Sequence, residues 1–138
     1  MTGTGLTRLR QTLKQAGSSS TKSRVVIFSS LQQGPLSMAR LVDNVRNQTD
    51  RATVYRTVDL FEKLGIINRI WYGPEPLVEL SEIFTPHHHH ALCQNCGKVV
   101  DFAGSELEAA LSAIAKTNQF LALSHSIELS GYCSDCQH

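Results

Sequence analysis

The residues of this chain whose types and spacing most clearly indicate chemistry are four cysteines in two Cys-x-x-Cys pairs. The pairs are Cys93 with Cys96 and Cys133 with Cys136, and the sequence contains no other cysteine. Two intervening residues let both thiolates of a turn face one ion, while backbone amides support the sulfurs. Two such pairs complete the tetrahedral four-cysteine set of structural zinc. We therefore predict a structural Zn²⁺ site, with disulfides or a redox-active Cys-x-x-Cys as the alternatives.

The chain also contains an uninterrupted run of four histidines, residues 87–90. If this run belongs to a strand, His87 and His89 project from one face. His88 and His90 then project from the other face, so that each face offers half of a metal site. Further candidate ligands in this region are Glu79, Asp101, Glu108 and His125. Mixed imidazole and carboxylate ligands suit Fe(II), Mn(II), Co(II) or Zn(II). The alternative is a solvated histidine run.

The charge of the chain is divided unevenly between its halves. The net charge is +1, but residues 1–80 carry eleven Lys and Arg against six Asp and Glu. Residues 81–138 carry two basic residues against six acidic ones. A basic half beside an acidic half favours a module that binds a polyanion, joined to a module that does not. Chance segregation of surface charge is the alternative.

The composition indicates a globular protein, with 41% hydrophobic and 18% charged residues. No apolar run approaches the roughly 20 residues that span a bilayer. The N-terminal segment lacks the apolar stretch of a signal peptide. We therefore expect a cytoplasmic protein that does not interact with a membrane.

Apolar residues recur at helical spacing in four segments of the first half. These segments end at the following breaks: Gly17, Gly34-Pro35, the polar turn 47–50 and Gly65. Thr21 and Ser37 stand where side-chain caps of the second and third helices are expected, and Asp50 or Thr49 can cap the fourth. The fourth predicted helix spans residues 50–64.

Two short strands are predicted after the fourth helix, Ile66–Trp71 and Leu77–Leu80. The turn between them is Tyr72-Gly73-Pro74-Glu75-Pro76. Helices followed by a hairpin in this order predict a helix-turn-helix with a wing. A small helical domain with an incidental hairpin is the alternative.

The pattern changes near residue 83, and residues 83–86 are a predicted hinge because Thr85-Pro86 favours extended backbone. The elements predicted beyond it are strands at Ala91–Cys93 and Val99–Phe102, an amphipathic helix at Gly104–Asn118 and a final strand at Phe120–Leu129. We therefore predict an α+β fold. Residues 1–82 form a winged helix-turn-helix domain, and residues 87–138 form a smaller α/β domain with the four-cysteine zinc site.

Several motifs together resemble the ferric uptake regulator (Fur) family. They are Ala52-Thr53-Val54-Tyr55-Arg56, the segment from His87 to Cys96 followed by Gly97-Lys98-Val99-Val100-Asp101-Phe102, the pair His125-Ser126, and the terminal Cys133 and Cys136. The motifs occur in the order of the family, and the resemblance extends over nearly the whole chain, from Leu9 to Cys136.

The resemblance implies a homodimer in which each subunit has a winged helix that binds DNA and a dimerisation domain. It places a regulatory metal site between the domains, with the ligands Glu79, His88, His90 and Asp101. It places a second site within the dimerisation domain, with the ligands His87, His89, Glu108 and His125. The four cysteines match the structural zinc site of the family. The residues that we predict to contact DNA are Arg24, Arg51, Thr53, Tyr55 and Arg56.

The chain departs from the family pattern at three places. Gly34-Pro35 stands where many members supply a further histidine to the regulatory site, which implies four protein ligands there. His89 stands where iron-sensing members often have aspartate. Ser19 stands in place of a basic residue before the second helix, and Lys14 or Lys22 would have to replace its contact with DNA.

The resemblance and the ligands lead us to expect a non-enzymatic repressor of metal-uptake genes, iron above all. It would bind a quasi-palindromic site in double-stranded DNA. The absence of cysteine outside the two pairs favours Fe²⁺ over Zn²⁺ as the regulatory metal, because zinc-sensing members often use a cysteine there. Zn²⁺ and Mn²⁺ are the alternatives. A zinc-uptake or peroxide-sensing regulator is the alternative within the family. A zinc-containing metal buffer without DNA binding is the alternative from another class. A hydrolytic zinc enzyme is not expected, since neither His-Glu-x-x-His nor His-x-Glu occurs.

Overall fold

The computed structural model describes residues 2–71 and 74–138. The chain divides into two compact units, of which the first ends at Pro86 and the second begins at His87. The elements of the first unit are α1 (Thr2–Gln15), α2 (Lys22–Leu31), β1 (Leu36–Ser37), α3 (Met38–Val45), α4 (Arg51–Lys63), β2 (Ile67–Trp71) and β3 (Pro76–Leu80). Among the described residues, no helix is long and apolar enough to cross a membrane.

Side-chain caps set the beginnings of three helices in the first unit. The hydroxyl oxygens of Thr21 and Ser37 accept hydrogen bonds from backbone amides in the first turns of α2 and α3. Asp50 caps α4, since its Oδ1 accepts from the Thr53 amide at 2.8 Å and its Oδ2 accepts from the Thr53 hydroxyl at 2.9 Å. These two bonds, the amide bond first, lower the pKa of Asp50. The structure thus selects Asp50 from the two predicted caps.

The predicted apolar stripes meet in one core in the first unit. Its buried side chains come from all four helices, from β2 and β3, and from Ile66 just before β2. They are Leu9, Leu13, Ile27, Phe28, Leu31, Leu41, Val45, Val54, Val58, Phe61, Ile66, Ile67, Val78 and Leu80. α4 buries one side against this core, so its opposite side is left on the surface. Phe84, in the predicted hinge, lies on the same core, with its ring centroid 5.0 Å from that of Phe28.

β2 and β3 form the predicted antiparallel hairpin, with Arg69 opposite Val78. A two-residue strand that the sequence did not predict, β1, pairs with β3 and gives the sheet order β1-β3-β2. Two residues of the predicted turn, Tyr72 and Gly73, lie outside the described residues. α3, the following turn and α4 form the helix-turn-helix, and the β2–β3 hairpin is its wing. The predicted α+β class is therefore confirmed.

The second unit contains a three-stranded sheet and one long helix. Its elements are β4 (His89–Cys93), β5 (Val99–Phe102), α5 (Ser105–Thr117), β6 (Glu128–Gly131) and a 3-10 turn (Ser134–Cys136). The strand order is β5-β4-β6, in which β4 pairs antiparallel with β5 and parallel with β6. The prediction of a strand over Phe120–Leu129 is wrong for residues 120–127. β6 begins only where it can pair with β4, because residues 120–127 lie beside no strand of the described chain.

The short helix α3 provides a test of capping. Ser37→Ala removes the oxygen that accepts from the Arg40 amide at 3.2 Å. We expect it to lower the free energy of unfolding by about 1 kcal/mol, because the first turn of the helix loses an acceptor. Ser37→Asn, which keeps a good capping group, should lie close to wild type in the same urea titration. Equal losses in the two variants would mean that the hydroxyl does not act as a cap.

Candidate metal centres and nucleic-acid interface

Strand pairing brings the two cysteine pairs together. Cys93 ends β4 opposite Gly131 of the parallel strand β6, and the chain turns from Gly131 to Cys133 two residues later. The first pair is closed by a turn in which the Gly97 amide donates to the Cys93 carbonyl at 3.0 Å. Gly97 has a φ of 75°, a left-handed conformation that favours glycine. The 3-10 turn closes the second pair through a bond from the Cys136 amide to the Cys133 carbonyl at 2.9 Å.

The geometry of the four thiols fits a tetrahedral cation site. All four Sγ atoms lie within 4.8 Å of one another. Cys96 Sγ and Cys133 Sγ are 3.7 Å apart. A tetrahedron with Zn–S bonds of about 2.3 Å has S–S edges of about 3.8 Å, whereas a disulfide bond is about 2.05 Å long. The arrangement therefore suits zinc and does not correspond to disulfides.

The thiols differ in their affinity for a proton. Backbone amides, those of Cys133 and Cys96 first, donate to the sulfur of Cys93 and lower its pKa to about 6. Burial, followed by the hydrogen bond with Cys136, raises the pKa of Cys133 to about 11. One thiolate is thus stabilised by the backbone while a neighbouring thiol resists a further negative charge. A divalent cation would remove this conflict, because thiols give up their protons to bind metal.

A second group of ligands consists of three histidines and one glutamate. His87 comes from the segment just before β4, His89 begins that strand, Glu108 lies in the first turn of α5, and His125 lies in the segment before β6. Glu108 Oε1 lies 3.0 Å from His87 Nε2, 2.6 Å from His89 Nε2 and 3.2 Å from His125 Nε2. The His87 and His125 Nε2 atoms are 3.1 Å apart.

The chemistry of this group suits a cation better than hydrogen bonds alone. The pKa of Glu108 is lowered to about 2, above all by its hydrogen bond with His89, so the carboxylate is charged. If all three imidazoles donated Nε2–H to it, the donors of His87 and His125 would face each other at 3.1 Å. A metal would instead accept the Nε2 lone pairs of all three rings. A tetrahedral site with bonds of about 2.0–2.1 Å has edges of about 3.3 Å, near the distances found here.

The other pair of histidines lies apart from this group. His88 Nε2 and His90 Nε2 are 3.1 Å from each other, and His90 is buried. Asp101 of β5 lies opposite His90, with its Oδ1 3.7 Å from His90 Nε2, too far for a hydrogen bond. Glu79, the ligand expected from the first unit, is a buried residue of β3 opposite Asn68. The structure therefore brings together His88 and His90, and leaves Asp101 close to His90.

The predicted DNA-contacting residues of α4 lie on or beside its exposed side. Tyr55 and Arg56 are exposed in its first two turns. Arg51 lies over the Tyr55 ring, with 5.2 Å from the guanidinium carbon to the ring centroid, and Arg51 Nη2 is 3.3 Å from the Tyr55 hydroxyl. This contact limits the rotamers of both side chains. Arg56 Nη2 is 3.4 Å from the hydroxyl of half-buried Thr53.

Arg24 is less accessible than the predicted contacts of α4. It is half-buried in the first turn of α2, and its Nη1 donates to the Ser19 carbonyl at 2.5 Å. Arg24 thereby holds the loop that precedes α2.

Two residues that contact the candidate metal ligands were not predicted from the sequence. Asn95 Nδ2 lies 3.3 Å from Cys136 Sγ, so it can donate to that sulfur. Its place between Cys93 and Cys96 was the available signal. The Phe102 ring lies 5.6 Å from the ring of His89, centroid to centroid, and helps to orient that imidazole. Only the register of β4 and β5, which places Phe102 opposite His89, identifies this contact.

Comparisons with a family model, with related sequences and with solved structures all find similarity to ferric uptake regulators. Residues 15–130 match the sequence model of the Ferric uptake regulator family. The Ferric uptake regulation protein of Campylobacter jejuni is 32% identical over 141 residues, covering 96% of this chain and 88% of that protein. The Helicobacter pylori ferric uptake regulator, described as having three functional metal-binding sites, superposes with a TM-score of 0.86 at 27% identity, covering 100% and 95% of the two chains. The Vibrio cholerae ferric uptake regulator superposes with a TM-score of 0.77 at 32% identity, and the match covers 90% of this chain and 98% of that chain.

The four-thiol group yields a prediction about zinc content. Cys96→Ser leaves three thiolates, so the protein should be purified with clearly less than one tightly bound zinc per chain from this site. The second unit should also lose stability, because a zinc ion held by all four thiolates would connect the turn after β4 to the 3-10 turn after β6. Ser134→Ala, within the other pair but not a ligand, is the matched control. Metal analysis together with thermal unfolding checks both variants, and full zinc content in the Cys96 variant would refute the assignment.

Proposed function

Because the chain belongs to the ferric uptake regulator family, we propose that it is a metal-dependent transcription repressor of metal-uptake genes, with iron as the metal it senses. The observation that carries the proposal is the division of residues 87–90 into two ligand groups. His87 and His89 lie with Glu108 and His125, while His88 and His90 lie with each other. A protein that only stored metal would have no need of a winged helix with an exposed Tyr55–Arg56 pair.

DNA binding is proposed to begin with the exposed side of α4. A recognition helix reads base edges with its N-terminal residues while other contacts fix its position on the phosphates. Tyr55 and Arg56 occupy that part of α4, and Arg51 orients Tyr55. Arg24 is proposed to contact a phosphate from the start of α2, in addition to its bond to Ser19. For base readout by Arg56, guanine is a suitable partner, because an arginine can contact it with two hydrogen bonds in the major groove.

The second unit is proposed to form a homodimer. Its large exposed hydrophobic residues are Val100, Ile114, Phe120, Leu121, Leu123, Leu129 and Tyr132. Leu121 and Leu123 are 82% and 89% exposed. β6 lies at an edge of its sheet, so its outer side has no partner strand among the described residues. A second copy would cover this apolar surface and give two recognition helices for a quasi-palindromic site.

Regulation is proposed to act through the site assigned by the family resemblance to Glu79, His88, His90 and Asp101. Glu79 belongs to the first unit and the other three ligands belong to the second. A metal that binds all four restricts the segment between them, and it favours DNA binding to the extent that it prefers that arrangement. The metals are thus proposed to serve folding and regulation, not catalysis, in a protein that acts in the cytoplasm.

Fe²⁺ is proposed as the regulatory ion because the ligands are imidazoles and carboxylates and all four cysteines are gathered elsewhere. Zn²⁺ and Mn²⁺ are compatible with the same ligands. With His89, the second group offers three imidazole nitrogens and one carboxylate. This ligand set favours a late first-row metal such as zinc over manganese at that site.

The proposal is tested by titrating the demetallated protein, with its structural zinc retained, with Fe²⁺, Mn²⁺ and Zn²⁺ in turn. Affinity for a palindromic DNA site is the measurement. His90→Ala should abolish the metal response while zinc content, fold and dimer remain. His125→Ala should reduce stability or shift the metal concentration required without removing the response. The reverse result would exchange the two sites, and an unchanged response in both variants would remove the mechanism.

Base readout by Arg56 gives a separate prediction. Arg56→Ala should weaken binding to specific DNA by roughly 1–3 kcal/mol and should affect random DNA much less. Lys63→Ala, at the end of the same helix and exposed, is a control for the loss of one positive charge. Equal losses on the two DNAs would show that Arg56 contacts phosphates only.

A further inference from the structure

Arg69 of β2 binds two acidic side chains of α4. Its Nε donates to Glu62 Oε2 and its Nη2 donates to Asp59 Oδ1, both at 2.8 Å. The Arg69 side chain is 19% exposed, whereas those of Asp59 and Glu62 are 71% and 45% exposed. The guanidinium is therefore largely enclosed between strand and helix, and its planar group reaches both carboxylates at once.

The two acids lie on the side of α4 that is proposed to face DNA. Asp59 follows Tyr55 by four residues and Glu62 follows Asp59 by three, so the three side chains lie along one stripe of the helix. The buried residues Val54 and Phe61 lie on a different side of the helix, which faces the core. A helix that has to approach a polyanion thus carries two carboxylates on its outer surface.

Apolar packing also holds β2 against α4. Ile67 of β2 is packed in the same buried core as Val58 and Phe61 of α4. What Arg69 adds, and this apolar contact cannot supply, is a positive charge held between the two carboxylates.

We propose that Arg69 is a positioning residue for DNA binding that neutralises Asp59 and Glu62 and so allows the outer side of α4 to approach the phosphates. The proposal rests on the DNA binding proposed above. Without Arg69, the two carboxylates would repel phosphates. Asp59 could also pair with Arg56, three residues before it, and draw that side chain away from the bases.

The test is a set of variants in the full-length, metal-loaded protein, with DNA affinity measured over a range of salt concentrations. Arg69→Met keeps much of the aliphatic packing and removes the charge. It should weaken binding about tenfold at low salt, and the loss should shrink as salt screens the carboxylates. Adding Asp59→Asn and Glu62→Gln to Arg69→Met should restore affinity to within about threefold of wild type.

Controls separate charge neutralisation from general effects of charge. Asp59→Asn with Glu62→Gln should raise affinity only slightly when Arg69 is present. The same double substitution should also raise DNA affinity only slightly when it is added to Arg46→Met. That variant loses one positive charge too, but from an exposed ion pair with Asp43. If the double substitution raises DNA affinity equally in wild type, Arg69→Met and Arg46→Met, the proposal is overturned.

A structural role for Arg69 predicts different results. Arg69→Lys retains the charge but not the two-armed geometry, so under our proposal it should bind within about threefold of wild type. If Arg69→Lys binds as poorly as Arg69→Met, or if the triple variant stays weak, Arg69 acts through the wing geometry and the proposal fails. Arg69→Lys also keeps the test open if Arg69→Met does not fold. If the wild-type protein binds no DNA, the proposed function fails as well. If it binds DNA but the Asp59 and Glu62 substitutions raise affinity equally in every background, only this inference fails.

Discussion

The second unit depends on contacts other than an apolar core, because its described residues bury only two hydrophobic side chains, Leu92 and Cys93. No residue of α5 is buried. Structural zinc in a small domain contributes on the order of 10–16 kcal/mol of apparent binding energy. Metal bound at the two candidate groups, one at each end of β4, would therefore supply stability that the small apolar core of this unit does not. The remaining exposed apolar surface is what a second copy would cover.

The first unit is built on the opposite principle. Its core draws buried side chains from all four helices and two strands, so α4 is fixed in position without any metal. A rigid recognition helix suits DNA readout, because little ordering is then left to occur on binding. Metal dependence is consequently expected to come from the link between the units and not from within the winged helix.

The alternation of side chains along β4 places ligands of the candidate metal group within the second unit next to a ligand of the site proposed for regulation. His89 points into the group with Glu108, and the adjacent His90 belongs to the other face, next to Asp101. A single strand thus supplies ligands to a group inside the second unit and to the site proposed to include Glu79. Metal binding that orders the first group also fixes the strand from which the second group projects, so the two sites need not be independent.

The sequence by itself determined the parts that depend on local spacing. Cys-x-x-Cys turns, the helix caps, the wing hairpin and the separation of alternate histidines in residues 87–90 depend on neighbours within a few positions. The predicted residues form these features, although β4 itself begins only at His89. The sequence did not determine the extent of β6, because a strand exists only where a partner runs beside it, and β4 is just five residues long. Tertiary structure alone decided that Arg69 meets Asp59 and Glu62, ten and seven residues away. The charge count treats that arginine as part of a basic surface, whereas the packing of β2 against α4 commits it to two carboxylates.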